Sequence, residues 1–337
     1  MPELRKDPVV GRWVIISTER SRRPSDFAPM PVRRRAGPCV FCPGQESSTP
    51  DEILAVRPDG SLRNGPGWYL RVVPNKFPAL RIEGEIERSG DGIYDRTNGV
   101  GAHEVIIETP DHQATLVTLP EEAVVRVLGA YRDRMRDLRK DSRFAYVIVF
   151  KNDGEPAGAS LEHSHSQLIA TPIVPIMVEE ELEGALSHFR IKKRCIWCDI
   201  VRQERQGRAR LILDEDGFVA LAPFAPRFPF ETWILPAVHR SSYEESPPED
   251  LRPLARVLGE VLRRMHRVLS DPPYNFMLHS APLHSPPLDH FHWHLEIIPT
   301  LTRVAGFEWG TGFFINPTPP EEAVKHLRGE TREVRLS

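Results

Sequence analysis

Cysteine is scarce: the chain has four among 337 residues. That number excludes a disulfide-built scaffold, in which crosslinks replace a core. Long apolar runs are missing as well. They stay short, from Trp13 to Ile16 with four residues to Phe144 to Phe150 with seven, where a membrane-spanning helix needs about 20. The opening segment, Met1 to Trp13, lacks the apolar stretch of a secretory signal, so the expected location is the cytoplasm. An excess of charge of one sign is also absent. Lys and Arg total 44 against 47 Asp and Glu, giving a net charge of -3. Nucleic acid and membrane surfaces are therefore not expected partners, although Arg20, Arg22 and Arg23, then Arg33 to Arg35, form a local basic cluster. What is plentiful is proline, with 33 residues, roughly twice the usual ~5%. Many fixed turns between short elements follow from it.

The four cysteines fall in two pairs of one spacing, Cys39-Val-Phe-Cys42 and Cys195-Ile-Trp-Cys198. Such pairs serve metal ligation or redox chemistry. Pro38, Pro43 and Gly44 put the first pair on a tight loop, more like a zinc knuckle than the start of a redox helix. A zinc ion needs about two further ligands per pair, usually histidine. The thirteen histidines include His163-Ser-His165-Ser-Gln167 and His292-Trp-His294-Leu-Glu296, each followed by an apolar run. Strand periodicity lets His163, His165 and Gln167 project together, and likewise His292, His294 and Glu296.

The two halves repeat one order of features: Cys-x-x-Cys, then Pro110-Asp-His112 or Pro236-Ala-Val-His239, a helix, a strand and His-x-His. Thr118-Leu-Pro-Glu121 and Ser246-Pro-Pro-Glu249 fit capping boxes at the two helix starts. Val124, Leu128, Tyr131, Met135 and Leu138 form one apolar stripe, and Leu251, Leu254, Leu258, Val261, Met265 and Leu269 another. Thr118 precedes His163 by 45 residues and Ser246 precedes His292 by 46. The longer interval from Cys42 to His112 assigns a loop or hairpin insertion to the charged, Gly-rich segment Arg81 to Gly101. Strands around one long helix in each half predict α+β architecture with antiparallel sheet. The expected division is residues 1–180 and 190–337, with the boundary near 175–193.

His163-x-His165-x-Gln167 resembles the variant histidine-triad motif of the galactose-1-phosphate uridylyltransferase family, in which Gln replaces the third His. Lys151 to Ser160 leads into the motif as in that family. Asn75-Lys-Phe-Pro-Ala-Leu80 resembles its nucleotide-binding segment, and Gly11 to Ser17 with Arg20 and Arg23 its phosphate-contacting start. Phe230-Glu-Thr-Trp, His279-Ser-Ala-Pro and His292-Trp-His294 extend the resemblance through the second half. It implies two tandem histidine-triad-like domains, the first of them catalytic, and a typically homodimeric protein. For the dimer the sequence adds only exposed-looking aromatics such as Trp68 and Trp309.

The resemblance implies covalent nucleotidyl transfer. His165 attacks the α-phosphorus of a nucleotide sugar, Gln167 hydrogen-bonds the transferred group, and Ser160 and Asn152 hold phosphates with Arg20 and Arg23. Asn75 lies on the nucleotide and Glu308 on the hexose. The first zinc set is Cys39, Cys42, His112 and His163. For the second half two layouts stand: zinc on Cys195, Cys198, His239 and His292, the favoured one, or an iron-type site of a glutamate near Glu181 with His279, His292 and His294. Both metals would be structural, so two zinc ions per chain are expected.

Two departures bear on the substrate. Ser164 stands where uridylyltransferases of the family usually have Pro, and Phe314 stands where a Gln is expected six residues after Glu308. Both resemble the ADP-glucose phosphorylase branch, which transfers AMP and uses phosphate as acceptor. The leading expectation is UDP-glucose–hexose-1-phosphate uridylyl transfer in galactose metabolism. The alternative is ADP-glucose phosphorylase-like chemistry. A zinc-stabilised nucleotide-binding module without turnover is the reading from a different class.

Overall fold

A computed structural model describes residues 2–17, 27 and 39–330. Its strands are β1 (Glu3–Lys6), β2 (Trp13–Ile16), β3 (Leu54–Val56), β4 (Leu70–Pro74), β5 (Arg88–Asp91), β6 (Tyr94–Thr97), β7 (Ala102–Ile107), β8 (Tyr146–Asp153), β9 (His165–Thr171), β10 (Leu211–Glu215), β11 (Phe218–Leu221), β12 (Thr232–Pro236), β13 (Tyr274–His279), β14 (His294–Pro299) and β15 (Phe314–Asn316). The helices are α1 (Glu121–Leu138), α2 (Ile176–Lys192), α3 (Ile196–Gly207), α4 (Leu251–Leu269), α5 (Gly306–Thr311) and α6 (Pro320–Arg328). The class is α+β, as expected.

Ten strands form one sheet in the order β10-β11-β12-β14-β13-β8-β9-β7-β4-β3. Each pairing within it is antiparallel. The order reads alike from either edge to the centre, which is the repeat made visible: β3, β4, β7, β9 and β8 correspond to β10, β11, β12, β14 and β13. The halves meet where β8 pairs with β13, Asn152 opposite Asn275. The stretch expected to separate the halves is itself helix, α2.

Every residue of the two predicted stripes is buried. The stripes of α1 and α4 lie in one core against the same face of the sheet, with Leu70, Val72, Leu168, Phe276 and Leu295. Tyr243 ties the halves further, donating its hydroxyl hydrogen to the Leu128 carbonyl at 2.8 Å. The capping boxes do not form. Pro120 and Asp250 are the N-cap residues, and neither gives a side-chain cap bond. The Thr118 hydroxyl accepts from the Thr115 backbone N–H instead, and the turn Pro248–Asp250 separates Ser246 from α4. Pro120 is the N-cap of α1 and Pro247 that of the turn before α4, positions where the missing N–H costs nothing. The expected insertion is an exposed hairpin, β5 and β6. Trp68, expected exposed, is 3% exposed. Its indole N–H donates to Glu46 Oε1 at 2.8 Å, which satisfies the polar end of the buried ring. Trp309 is exposed. Among the described residues no helix is long and apolar enough to cross a membrane.

Candidate active site and metal clusters

Strand β9 faces two ways. Ser166, Leu168 and Ala170 turn toward the α1 side, where Leu168 and Ala170 join the core and Ser166 meets Tyr131 of α1. His165 and Gln167 alternate with them and share the opposite face, as period two requires. The His165 Nδ1–H donates to the His163 carbonyl at 2.8 Å. That bond selects the tautomer with its lone pair on Nε2. Burial pushes the His165 pKa below its ordinary value, and the Lys151 charge adds to the effect. The imidazole is therefore neutral near pH 7, the state a nitrogen nucleophile needs.

Gln167 Oε1 is met by two side chains. His103 Nε2 lies 2.8 Å away and Asn75 Nδ2 3.4 Å. Asn75 Oδ1 accepts the Phe77 backbone N–H at 2.9 Å, so the loop after β4 closes on its own Asn. Phe77 at its tip is 84% exposed. The structure thus brings Asn75, Gln167 and the His165 strand together.

Beneath His165 lies a buried polar network. Lys151 on β8 is 1% exposed. Its Nζ donates to Glu108 Oε2 at 2.9 Å, to Ser164 Oγ at 3.0 Å and to the His165 carbonyl at 3.1 Å. Ser164 and Ser166 donate to Glu108 in turn, and Tyr131 joins them. Burial works to raise the Glu108 carboxyl, yet Lys151 and the two hydroxyls hold it below its ordinary value. Ser164 is therefore an anchored hydrogen-bonding residue at this position.

The two Cys-x-x-Cys pairs each meet two histidines. Cys39, Cys42, His112 and His163 each bring one ligand atom within 4.8 Å of the others, and so do Cys195, Cys198, His239 and His292. The outer nitrogens fix the tautomers: His163 Nε2–H donates to the Thr109 carbonyl at 2.7 Å and His239 Nε2–H to Leu288 at 3.1 Å. Each Nδ1 then faces sulfur with its lone pair, the arrangement of a ligating histidine. Two sulfurs and two nitrogens in mutual reach fit a tetrahedral ion of zinc type. His292 Nδ1 lies 3.6 Å from Cys198 Sγ, so His292 joins the cysteine set. Glu181, His279 and His294 gather separately. Burial alone would lower His279, but Glu181 and Glu296 flank it and push it up to about 10.

The repeat extends into the site. Phe41, third residue of the first Cys-x-x-Cys, packs edge-on to His165 with centroids 5.4 Å apart. Trp197, its counterpart, stacks on His294 at 4.2 Å. Glu296, the counterpart of Gln167, is closed by Arg227 Nη2 at 2.6 Å. Burial acts to raise Glu296, yet Arg227 and His279 hold it well below its ordinary value. The second half thus carries a filled, internally neutralised version of the first.

A model described as "Galactose-1-phosphate uridyl transferase, N-terminal domain" matches residues 1–175. The chain belongs to the galactose-1-phosphate uridylyltransferase family. A second model, a domain of unknown function, matches residues 101–336. The chain is 38% identical over 334 residues to the ADP-glucose phosphorylase of Arabidopsis thaliana, covering 97% of this chain and 92% of that protein. It is 30% identical over 343 residues to the galactose-1-phosphate uridylyltransferase of Thermotoga maritima, covering 99% and 100%. Among solved structures, the Arabidopsis ADP-glucose phosphorylase with bound ADP-glucose superposes with a TM-score of 0.83 at 36% identity, over 100% of both chains. A uridylyltransferase structure gives 0.76 at 29% identity, over 98% of both.

The other expected site residues of this family member fall as follows. Ser160 is exposed at the end of the turn in which Gly154 and Gly158 take positive φ, 84° and 92°. Only glycine adopts such angles readily. Asn152 Oδ1 accepts from Asn275 Nδ2 at 2.8 Å, across the seam between the halves. Glu308 Oε2 accepts the Ala305 backbone N–H at 3.1 Å and so caps its own helix, α5. Arg20 and Arg23 lie outside the described residues. The roles of His103, Lys151, Glu108 and Phe41 were missed from sequence. Lys151 is marked there only as the start of the segment before the motif, and Phe41 left a signal in that both Cys-x-x-Cys pairs have an aromatic just before the second Cys.

Proposed function

We propose that this protein is a nucleotidyltransferase that moves a nucleoside monophosphate from a nucleotide sugar to a sugar phosphate through a nucleotidyl-histidine. The observation that carries the proposal is His165, neutral by burial and with its Nδ1–H committed to the His163 carbonyl, beside Gln167 on one strand face. In the first half-reaction His165 Nε2 forms a bond to the α-phosphorus. The bond to the β-side oxygen breaks, and a hexose 1-phosphate leaves with the electron pair. In the second, an acceptor phosphate oxygen attacks the same phosphorus and the P–N bond breaks, restoring neutral imidazole. Gln167 donates to the transferred phosphoryl group, while Ser160, Asn152, Arg20 and Arg23 hold phosphates. Asn75 lies on the nucleotide and Glu308 on the hexose.

The leading reading of the pair of substrates is UDP-glucose with a hexose 1-phosphate, as the names of the uridylyltransferase relatives suggest. A second reading, ADP-glucose with inorganic phosphate, is favoured by the higher identity to the Arabidopsis phosphorylase and by Ser164, which is tied into the Lys151–Glu108 network. Two zinc ions per chain would hold the Cys39 and Cys195 loops, supplying fold stability rather than chemistry. Each half, 1–180 and 190–337, would be a histidine-triad-like unit, the second a silent copy, in a cytoplasmic homodimer.

The test is to incubate the protein separately with UDP-glucose and ADP-glucose and to assay nucleotidyl-enzyme. Loading with UMP and discharge by galactose 1-phosphate supports the leading reading. Loading with AMP and discharge by phosphate to give ADP supports the second. No loading from either, with zinc present, refutes the transferase reading.

A further inference from the structure

His103 lies on β7 one diagonal step from Gln167, since its register partner on β9 is Ile169. Its two ring nitrogens have different neighbours. Nδ1 lies 3.1 Å from the Ala79 backbone nitrogen, and a backbone N–H can only donate. Nδ1 is therefore the acceptor, and in a neutral imidazole the proton then sits on Nε2. Nε2 is 2.8 Å from Gln167 Oε1, so that oxygen accepts. Asn75 sits against both groups. Its Oδ1 is committed to Phe77 N–H, so Nδ2 is the end turned to them, 3.4 Å from the Gln167 oxygen and 3.1 Å from His103 Nε2, which as an N–H cannot also accept from it. With Oε1 held by two donors, the carboxamide cannot present its oxygen to substrate. Its NH2 group is the end left to do so. The same residue pins the loop after β4 twice: Ala79 N–H donates to its ring, and Asn75 N–H donates to its backbone carbonyl at 2.8 Å.

We infer that His103 is a positioning residue for nucleotidyl transfer: it fixes the Gln167 carboxamide with its oxygen inward, so that the NH2 group meets the transferred phosphoryl as a donor. A carboxamide free to rotate presents its oxygen part of the time, and an oxygen lone pair repels the anionic phosphoryl group. The inference rests on the proposed transferase reading and adds the residue that orients its amide.

The experiment is a double-mutant cycle read by single-turnover loading of the protein from UDP-glucose and ADP-glucose. His103→Phe keeps the ring and removes both hydrogen bonds. It should slow nucleotidyl-enzyme formation about 10²-fold at saturating nucleotide sugar, the scale of a misaligned transition-state donor. Zinc content should stay unchanged. His103→Gln, which can accept from Ala79 and donate to Gln167, should recover a large part of the rate. In a Gln167→Ala background His103→Phe should have little further effect, because the residue it acts through is gone. Equal rate losses in the two backgrounds, or wild-type loading by His103→Phe, would overturn the inference while leaving the transferase reading intact. Absence of loading by the wild-type protein would overturn both. Should His103→Phe not fold, His103→Gln and His103→Ala complete the same cycle.

Discussion

Replacing Lys151 by Met tests the buried network under the nucleophile. Methionine keeps the unbranched stem but withdraws the ammonium group that sits 2.9 Å from Glu108, itself fully enclosed. Removing one partner of a buried pair leaves an uncompensated charge, at a cost of about 3–5 kcal/mol. For a chain of 337 residues the unfolding entropy is roughly 0.7 kcal/mol/K, so the midpoint should fall by about 4–7 °C. The pH dependence has a defined sign. In the native protein the Glu108 carboxyl lies below 4.5, so its contribution is present above the unfolded value and lost as pH falls through the folded one. In Lys151→Met the strongest lowering influence is gone while burial remains, so the carboxyl moves upward. The deficit should then be larger near pH 8 than near pH 5, where the variant's carboxyl takes up a proton. Adding Glu108→Gln should restore most of the loss. Differential scanning calorimetry of the two variants at both pH values makes the measurement. A Lys151→Met midpoint within about 1 °C of the native value, or a double variant no better than the single one, would refute the reasoning.

Three further outcomes are expected. Elemental analysis should find two zinc ions per chain, and Cys39→Ala should lose one of them with a midpoint drop of roughly 10 °C or more; iron in place of zinc would contradict it. Phe41→Ala empties the space edge-on to His165, so it should cost about 3–5 kcal/mol and slow loading while both zinc ions stay bound; an unchanged loading rate would count against the packing role. Because burial depresses His165, loading should be level between about pH 7 and pH 8, and its acid limb should lie below 6.5; a limb above that value would contradict a neutral, desolvated nucleophile.

The parts of the site that sequence revealed are those carried by spacing. Cys-x-x-Cys with a distant His, His-x-His-x-Gln on a strand, and the stripes of α1 and α4 each have a period that residue type alone exposes. The residues that escaped act across strands. His103 reaches Gln167 from β7, and Lys151 reaches Ser164 from β8, through register that no linear spacing encodes. The capping boxes failed for a related reason. The pattern of Thr118 and Glu121 is right, but proline at position 120 moved the helix start two residues along. Trp68 looked exposed because nothing near it in sequence announces Glu46 as its hydrogen-bond acceptor.

The seam between β8 and β13 has a consequence for the chain as a whole. Each is the innermost strand of its half, and each satisfies its outer N–H and C=O groups only on the other. A half released on its own would bare an unpaired strand edge, a template for pairing with another chain. Because β8 and β13 run antiparallel and occupy equivalent places, a freed first half would offer its own β8 to a second copy in nearly the same geometry. Severing the chain in α2 should therefore yield self-pairing fragments in place of two quiet monomers. In the intact chain the strand that carries Lys151 stays matched by β13.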